Sequence, residues 1–129
     1  IGTHRHQYEV TDHLPDSHCD VTLIPHVIPA ERGIESAIYT APSRDPGFLE
    51  ETLAEFSHEH EGLRWRDAPP GLQAVARTSY ADLSSYREDG VFIVFTGIDN
   101  LRKGAASQAI QNANVMCGLP VNRGLLPGV

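Results

Sequence analysis

Residues Ala81 to Phe95 read A-D-L-S-S-Y-R-E-D-G-V-F-I-V-F. Two strand-like runs flank Asp89-Gly90, a dipeptide suited to the tightest hairpin turns because both residues tolerate positive φ. The stretch therefore predicts adjacent antiparallel strands, Ala81 to Arg87 and Val91 to Phe95. A hairpin breaks the strict strand-helix-strand alternation that an all-parallel sheet requires.

Working outward, Gly33 to Thr40 (G-I-E-S-A-I-Y-T) is a further strand candidate, and Asp20 to Val27 (D-V-T-L-I-P-H-V) is another, interrupted by Pro25. Between them and the hairpin, Ser43 or Asp45 can cap a helix with Pro46 in its first turn; Phe48, Leu49, Leu53 and Phe56 share one face, and the helix ends near Gly62. Pro69-Pro70-Gly71 is a loop. After the hairpin, a final helix from about Leu101 to Met116 places Leu101, Ala105, Ala109, Ile110, Ala113 and Met116 at helical spacing and stops at Gly118 and Pro120. These six are its expected buried face. The class that accommodates this order is α+β: a mainly antiparallel mixed sheet with helices on one face.

A chain of 129 residues with 40% hydrophobic content suits a single packed domain. Without an apolar run near the ~20 residues of a membrane span, and without a signal-peptide core, it is expected in the cytoplasm. A net charge of −7 with scattered Lys and Arg argues against a nucleic-acid surface. Cys19 and Cys117 form no disulfide framework or C-x-x-C pair and are expected as reduced thiols. With no initiator Met and a motif at its very start, the chain is expected to be a truncated piece.

Four segments carry candidate chemistry. Ile98 to Asn112 reads I-D-N-L-R-K-G-A-A-S-Q-A-I-Q-N; Gly104, Ala105 and Ala106 let the first helical turn approach a ligand, and its free N–H groups favour an anion. His4 to Val10 is H-R-H-Q-Y-E-V. Leu23 to Ile34 is L-I-P-H-V-I-P-A-E-R-G-I, where two prolines and a glycine stiffen a loop around His26 and Arg32. Arg32 can grip a carboxylate or phosphate through its planar fork, or pair with Glu31 or Glu35; His26 lines the same loop or is a structural histidine. Val75 to Ser84 is V-A-R-T-S-Y-A-D-L-S. His58-x-His60 on the predicted helix points in two directions, so no metal site is expected.

In order along the chain, these segments resemble H-R-H-x-P-E-I, F-x-P-H-L-x-P-x-x-R-G-I, V-x-G-T-N-x-C-D-I-S and I-D-N-L-V-K-G-A-A-G-Q-A-V-Q-N of the N-acetyl-gamma-glutamyl-phosphate reductases, relatives of aspartate-semialdehyde dehydrogenase. Tyr8, Arg77, Ser79 and Ala81 depart from those patterns. The resemblance implies the sheet-and-helix catalytic and dimerisation domain of the aspartate-semialdehyde and glyceraldehyde-3-phosphate dehydrogenase type. Residues 1–97 would be part of that domain, and residues 98–129 a helix and tail returning to a missing N-terminal NADP-binding domain.

In such a reductase a thiolate displaces phosphate from an acyl phosphate, hydride reduces the thioester, and an acid/base manages the protons. The resemblance assigns that last role to His6, with His4 second. It gives Arg32 and His26 to the substrate, N-acetyl-glutamyl phosphate, and Asn100, Gly104 and Ala105 to NADP. No Gly-rich nucleotide-binding turn and no G-C-Y-x-T nucleophile stands in the sequence, so the chain alone is expected to be inactive. The whole enzyme would be a homo-oligomer of arginine biosynthesis. The aminoadipyl-phosphate counterpart of lysine biosynthesis, a non-catalytic dimerisation module and a metal-binding domain are the alternatives.

Overall fold

Asp89 and Gly90 take φ of 47° and 80°, and the strands on either side run antiparallel from Ala81↔Ile98 to Glu88↔Val91. Around this hairpin the computed structural model describes residues 4–14 and 20–126, divided between two compact units, Ile1–Ala30 and Glu31–Val129. In chain order the elements are α1 (Arg5–Asp12), β1 (Ile34–Thr40), α2 (Pro46–Glu59), β2 (Leu63–Trp65), the short turn α3 (Leu72–Val75), β3 (Ala81–Glu88), β4 (Val91–Ile98), a π-helical turn (Arg102–Ala106) and α4 (Ser107–Met116).

The first unit holds α1. His4 caps it, its Nδ1 accepting from the His6 N–H at 3.4 Å, and Thr11 Oγ1 donates back to the Gln7 carbonyl. Residues 20–27, read above as a strand, are irregular instead. Pro25 and Pro29 supply no N–H to a ladder, and no described strand of this unit lies beside them. The Leu23 N–H is taken by the Gln7 side chain at 3.3 Å.

The second unit is a four-stranded sheet in the order β1-β4-β3-β2, antiparallel except for the β2–β3 pair. The class read from the sequence is the class observed. On one face Leu83, Ser85 and Arg87 stand beside Thr96, Val94 and Phe92. Helix α2, capped by the Asp45 carboxylate on the Phe48 N–H, packs on β2 and β3 and sends Glu50 to Arg87 at 3.3 Å. Gly104 packs on Ile98 of the same face, where an added Cβ would lie 3.4 Å from Ile98 Cδ1.

The opposite face carries Asp82, Ser84 and Tyr86 beside Gly97, Phe95 and Ile93. Pro70 closes on it at Gly97, where any Cβ would stand 3.3 Å from the proline ring. Further along, the row Tyr39-Ile93-Tyr86 is open, with Tyr39 70% and Tyr86 51% exposed.

One expected apolar face is split and the other is reversed. Leu49 and Leu53 of α2 are partly buried and Ser57 fully so, but Phe48 and Phe56 are exposed, Phe56 stacking on His60 at 4.1 Å between ring centroids. Over the π-helical turn and α4 the expected face is reversed: Ser107, Gln111 and Asn114 are buried while Leu101, Ala105, Ala109, Ile110, Ala113 and Met116 are exposed. Its buried polar groups are satisfied, as burial demands. Ser107 Oγ bonds Ser79 Oγ at 2.8 Å, Gln111 Nε2 donates to Asn122 Oδ1 at 2.6 Å, and Asn114 Nδ2 donates to the Val121 and Arg123 carbonyls. Helical periodicity separated the two faces correctly but could not say which one this chain covers.

Candidate functional site

Two dipeptides 67 residues apart meet at the entry to β1 and the exit of β4. Arg32 Nε lies 2.7 Å from Asp99 Oδ2, an ion pair whose N–H is not well aligned on the oxygen, and the next residue along each strand adds a second rung, Gly33 N–H to Asn100 Oδ1 at 2.9 Å. Antiparallel pairing of Ile34 with Ile98 brings them there.

Asp99 is wholly buried. Its Oδ1 accepts from the Leu101 and Arg102 N–H groups, each at 2.8 Å, and its Oδ2 from the Arg77 N–H at 2.6 Å. Burial alone would raise its pKa, but the backbone donors of Arg77, Arg102 and Leu101, together with the Arg32 guanidinium, outweigh burial and hold it at about 2, below the ordinary 3.8. The anion at the start of the final helix is thus Asp99 itself, and the free N–H groups expected at that turn are engaged. The chain passes into α4 through a π-helical turn, with Gly104 N–H on the Asp99 carbonyl and Ala106 N–H on that of Leu101. Such turns recur at functional sites.

Arg32 pairs with neither Glu31 nor Glu35, the carboxylates its sequence neighbourhood suggested. Its side chain keeps 23% of its surface, and among the described residues nothing accepts from its outer Nη groups. Asn100 spends its carbonyl oxygen on Gly33, leaving its NH₂ as the available donor. His6 opens α1 against His4, ring centroids 4.7 Å apart, with Glu9 Oε2 3.8 Å from its Nε2. His26 is exposed, and so is Ala105.

Sequence reasoning missed a second charged cluster. Asp82, also fully buried, takes Arg64 Nε on Oδ1 and Arg66 Nε on Oδ2 at 2.8 Å, while Arg64 also covers the Tyr80 ring at 4.4 Å and donates to the Ala74 carbonyl. Arg64 lies in the short strand β2 and Arg66 just past its end, two residues apart, and this R-x-R spacing is the signal for the cluster in the sequence. Lys103 donates to Gln111 Oε1 at 2.9 Å, and burial lowers its pKa. Cys117 is an exposed free thiol; Cys19 lies outside the described residues. Among the described residues no cluster of His, Cys, Asp or Glu could hold a metal, and no helix is long and apolar enough to cross a membrane.

Residues 1–100 match the family model of the semialdehyde dehydrogenase dimerisation domain. The chain belongs to that family. It is 37% identical over 125 residues to the N-acetyl-gamma-glutamyl-phosphate reductase of Campylobacter curvus, covering 95% of this chain and 37% of the relative. To the reductase of that name from Desulforudis audaxviator it is 38% identical over 141 residues, covering 100% and 40%; to that of Methanosarcina acetivorans, 36% over 132 residues, covering 97% and 39%. The chain therefore spans about two fifths of the length of the curated relatives it matches.

Placed in the dimerisation-domain family, the departures from the reductase patterns acquire physical content. Ser79 stands where the pattern has Asn and Ser107 where it has Gly, and these two hydroxyls touch. Arg77 stands where the pattern has Gly and takes φ of 62°, a left-handed conformation that its Cβ resists.

Replacing Arg77 by Gly is expected to raise the free energy of unfolding by roughly 1 kcal/mol, since the strain disappears and the N–H to Asp99 remains. Urea melts of the two proteins measure it, and a loss of stability would show that the Arg77 side chain contributes more than its strain costs. Because the Asp99 pKa is depressed on folding, its stabilisation is fully present above the ordinary 3.8 and is lost as pH falls toward about 2. Asp99→Asn should remove that part of the acid sensitivity; identical slopes of stability against pH between 4 and 2 would contradict the assignment.

Proposed function

We propose that this chain is the C-terminal part of an NADPH-dependent N-acetyl-gamma-glutamyl-phosphate reductase. The enzyme converts an acyl phosphate to N-acetylglutamate semialdehyde in the cytoplasm, in arginine biosynthesis. The carrying observation is that identity of 36 to 38% to reductases of that name runs over nearly the whole chain. In support, two of the motifs that suggested the family, R-G at 32–33 and D-N at 99–100, close on one another in space.

The chain's own residues supply binding and proton transfer. Arg32 is oriented through Nε, and its outer nitrogens receive the carboxylate or phosphate of the substrate. His6, at the exposed start of α1, is the acid/base. His26 is a weaker substrate contact, exposed on its proline-bounded segment. The free NH₂ of Asn100 and the exposed, small-residue Gly104-Ala105 turn fit a nicotinamide dinucleotide, which when bound supplies the hydride. The thiolate nucleophile and the nucleotide-binding domain belong to parts of the enzyme outside this chain, so the chain alone is inactive.

The exposed apolar side of the final helix, Leu101, Ala105, Ala109, Ile110, Ala113 and Met116, suits return to that domain, which makes residues 98–129 a connecting arm and 1–97 part of the catalytic and dimerisation domain. The open Tyr39-Ile93-Tyr86 row is the dimer face.

In the full-length enzyme, assayed as phosphate-dependent oxidation of N-acetylglutamate semialdehyde with NADP, Arg32→Ala should raise KM about tenfold or more with a smaller change in kcat. His6→Ala should lower kcat by roughly 10²-fold or more while NADP still binds. Unchanged constants would remove each residue from its role, and activity confined to the aminoadipate semialdehyde would move the substrate to the lysine pathway. Tyr86→Arg is expected to turn the dimer into monomers in light scattering; an unchanged mass would place the dimer contact on another surface.

A further inference from the structure

We infer that Asp99 is a positioning residue that joins the substrate-anion site at Arg32 to the cofactor site at Asn100, so that anion and dinucleotide bind cooperatively. The inference rests on the roles proposed above for Arg32 and Asn100 and adds a physical link between them.

The link is the two-rung clamp. One oxygen of the buried Asp99 carboxylate holds Arg32 Nε and the Arg77 N–H, and the other holds the N–H groups of Leu101 and Arg102, the two residues that follow Asn100. Asn100 in turn holds Gly33, the residue that follows Arg32. Neither ligand contact can shift without disturbing the other, because both hang on one desolvated carboxylate with no solvent to substitute for a lost partner.

An anion on the outer nitrogens of Arg32 fixes its guanidinium and, through Asp99, the start of the π-helical turn. A dinucleotide bound at Asn100 then meets a backbone already ordered, and linkage makes the benefit mutual. Asp99 touches neither ligand. Its removal should therefore weaken both and abolish their coupling, whereas loss of a merely stabilising carboxylate would change unfolding without changing the coupling.

The test is NADP titration of the full-length enzyme by fluorescence, alone and with saturating inorganic phosphate or, separately, N-acetylglutamate. One of these anions should tighten NADP binding about fivefold or more in the native enzyme, and the effective one identifies whether Arg32 takes phosphate or carboxylate. Asp99→Asn should lose the effect. Arg32→Lys, which keeps the charge but has no Nε to face Asp99, should lose it while still binding NADP in the absence of anion, which keeps the inference testable if the Asp99 variant folds poorly. NADP affinity indifferent to both anions in the native enzyme, or coupling that survives in Arg32→Lys, would overturn the inference. An Arg32→Ala enzyme that binds both anions normally would instead refute the reading of Arg32 on which it rests.

Discussion

The Asp99 carboxylate is the interaction on which this architecture depends. Removing a carboxylate from water is costly, and the chain offsets that cost with three backbone N–H groups and one guanidinium drawn from three separate stretches of sequence. Each donor is a structural commitment. The Arg77 N–H fixes the crossing from α3 to β3 even at the expense of a left-handed arginine; the Leu101 and Arg102 N–H groups fix where β4 turns into helix; Arg32 fixes the approach to β1. The carboxylate thus locates the ends of three strands at one point, and the candidate site is that point.

Around this centre the distribution of polarity is unusual for a small domain. Among the described residues the fully buried side chains include Asp82, Asp99 and Ser84, with Val75 the one aliphatic side chain beside them, while Tyr39, Tyr86, Ile110 and Met116 face outward. Globular interiors normally reverse that preference. Most of that polar interior is paired, Asp82 by two arginines, Gln111 by Asn122 and Lys103, Asn114 by two carbonyls, whereas the Ser84 and Ser85 hydroxyls find no partner among the described residues. The apolar exterior lies on a sheet face and a helix face, which are the two kinds of surface that dock other elements most readily. The family whose model the chain matches is named for a dimerisation domain, and the relatives it matches are more than twice its length.

Local signals were legible where the responsible physics is local. Asp89-Gly90 announces a turn that only positive φ satisfies, Asp45-Pro46 announces the start of α2, and Gly118 the end of α4, because caps and turns depend on a few consecutive residues. The strand expected at 20–27 failed for a complementary reason: β-propensity needs a partner strand, and Pro25 had withdrawn a donor from any ladder. Strand β2, three residues long, is too short for its period to stand out from the loops beside it. For the site, the residue types were readable but not their partners. Arg32 was offered Glu31 and Glu35 by proximity in sequence and took Asp99 instead, since a strand ladder brings residue 32 beside residue 99 and carries residue 35 away along the strand.

The sequence by itself determined the class of fold, the hairpin, the caps and the family, because alternation, turn chemistry and motif spacing are properties of short windows and of order along the chain. Only the tertiary structure decided that R-G and D-N form one clamp, that Asp99 occupies the anion position at the final helix, and that α4 buries its amides and leaves its aliphatics outside. Those outcomes are set by which surfaces are opposed and how many buried donors each carboxylate can collect. Such matching is a sum over residues distant in sequence, and no window of the chain contains it.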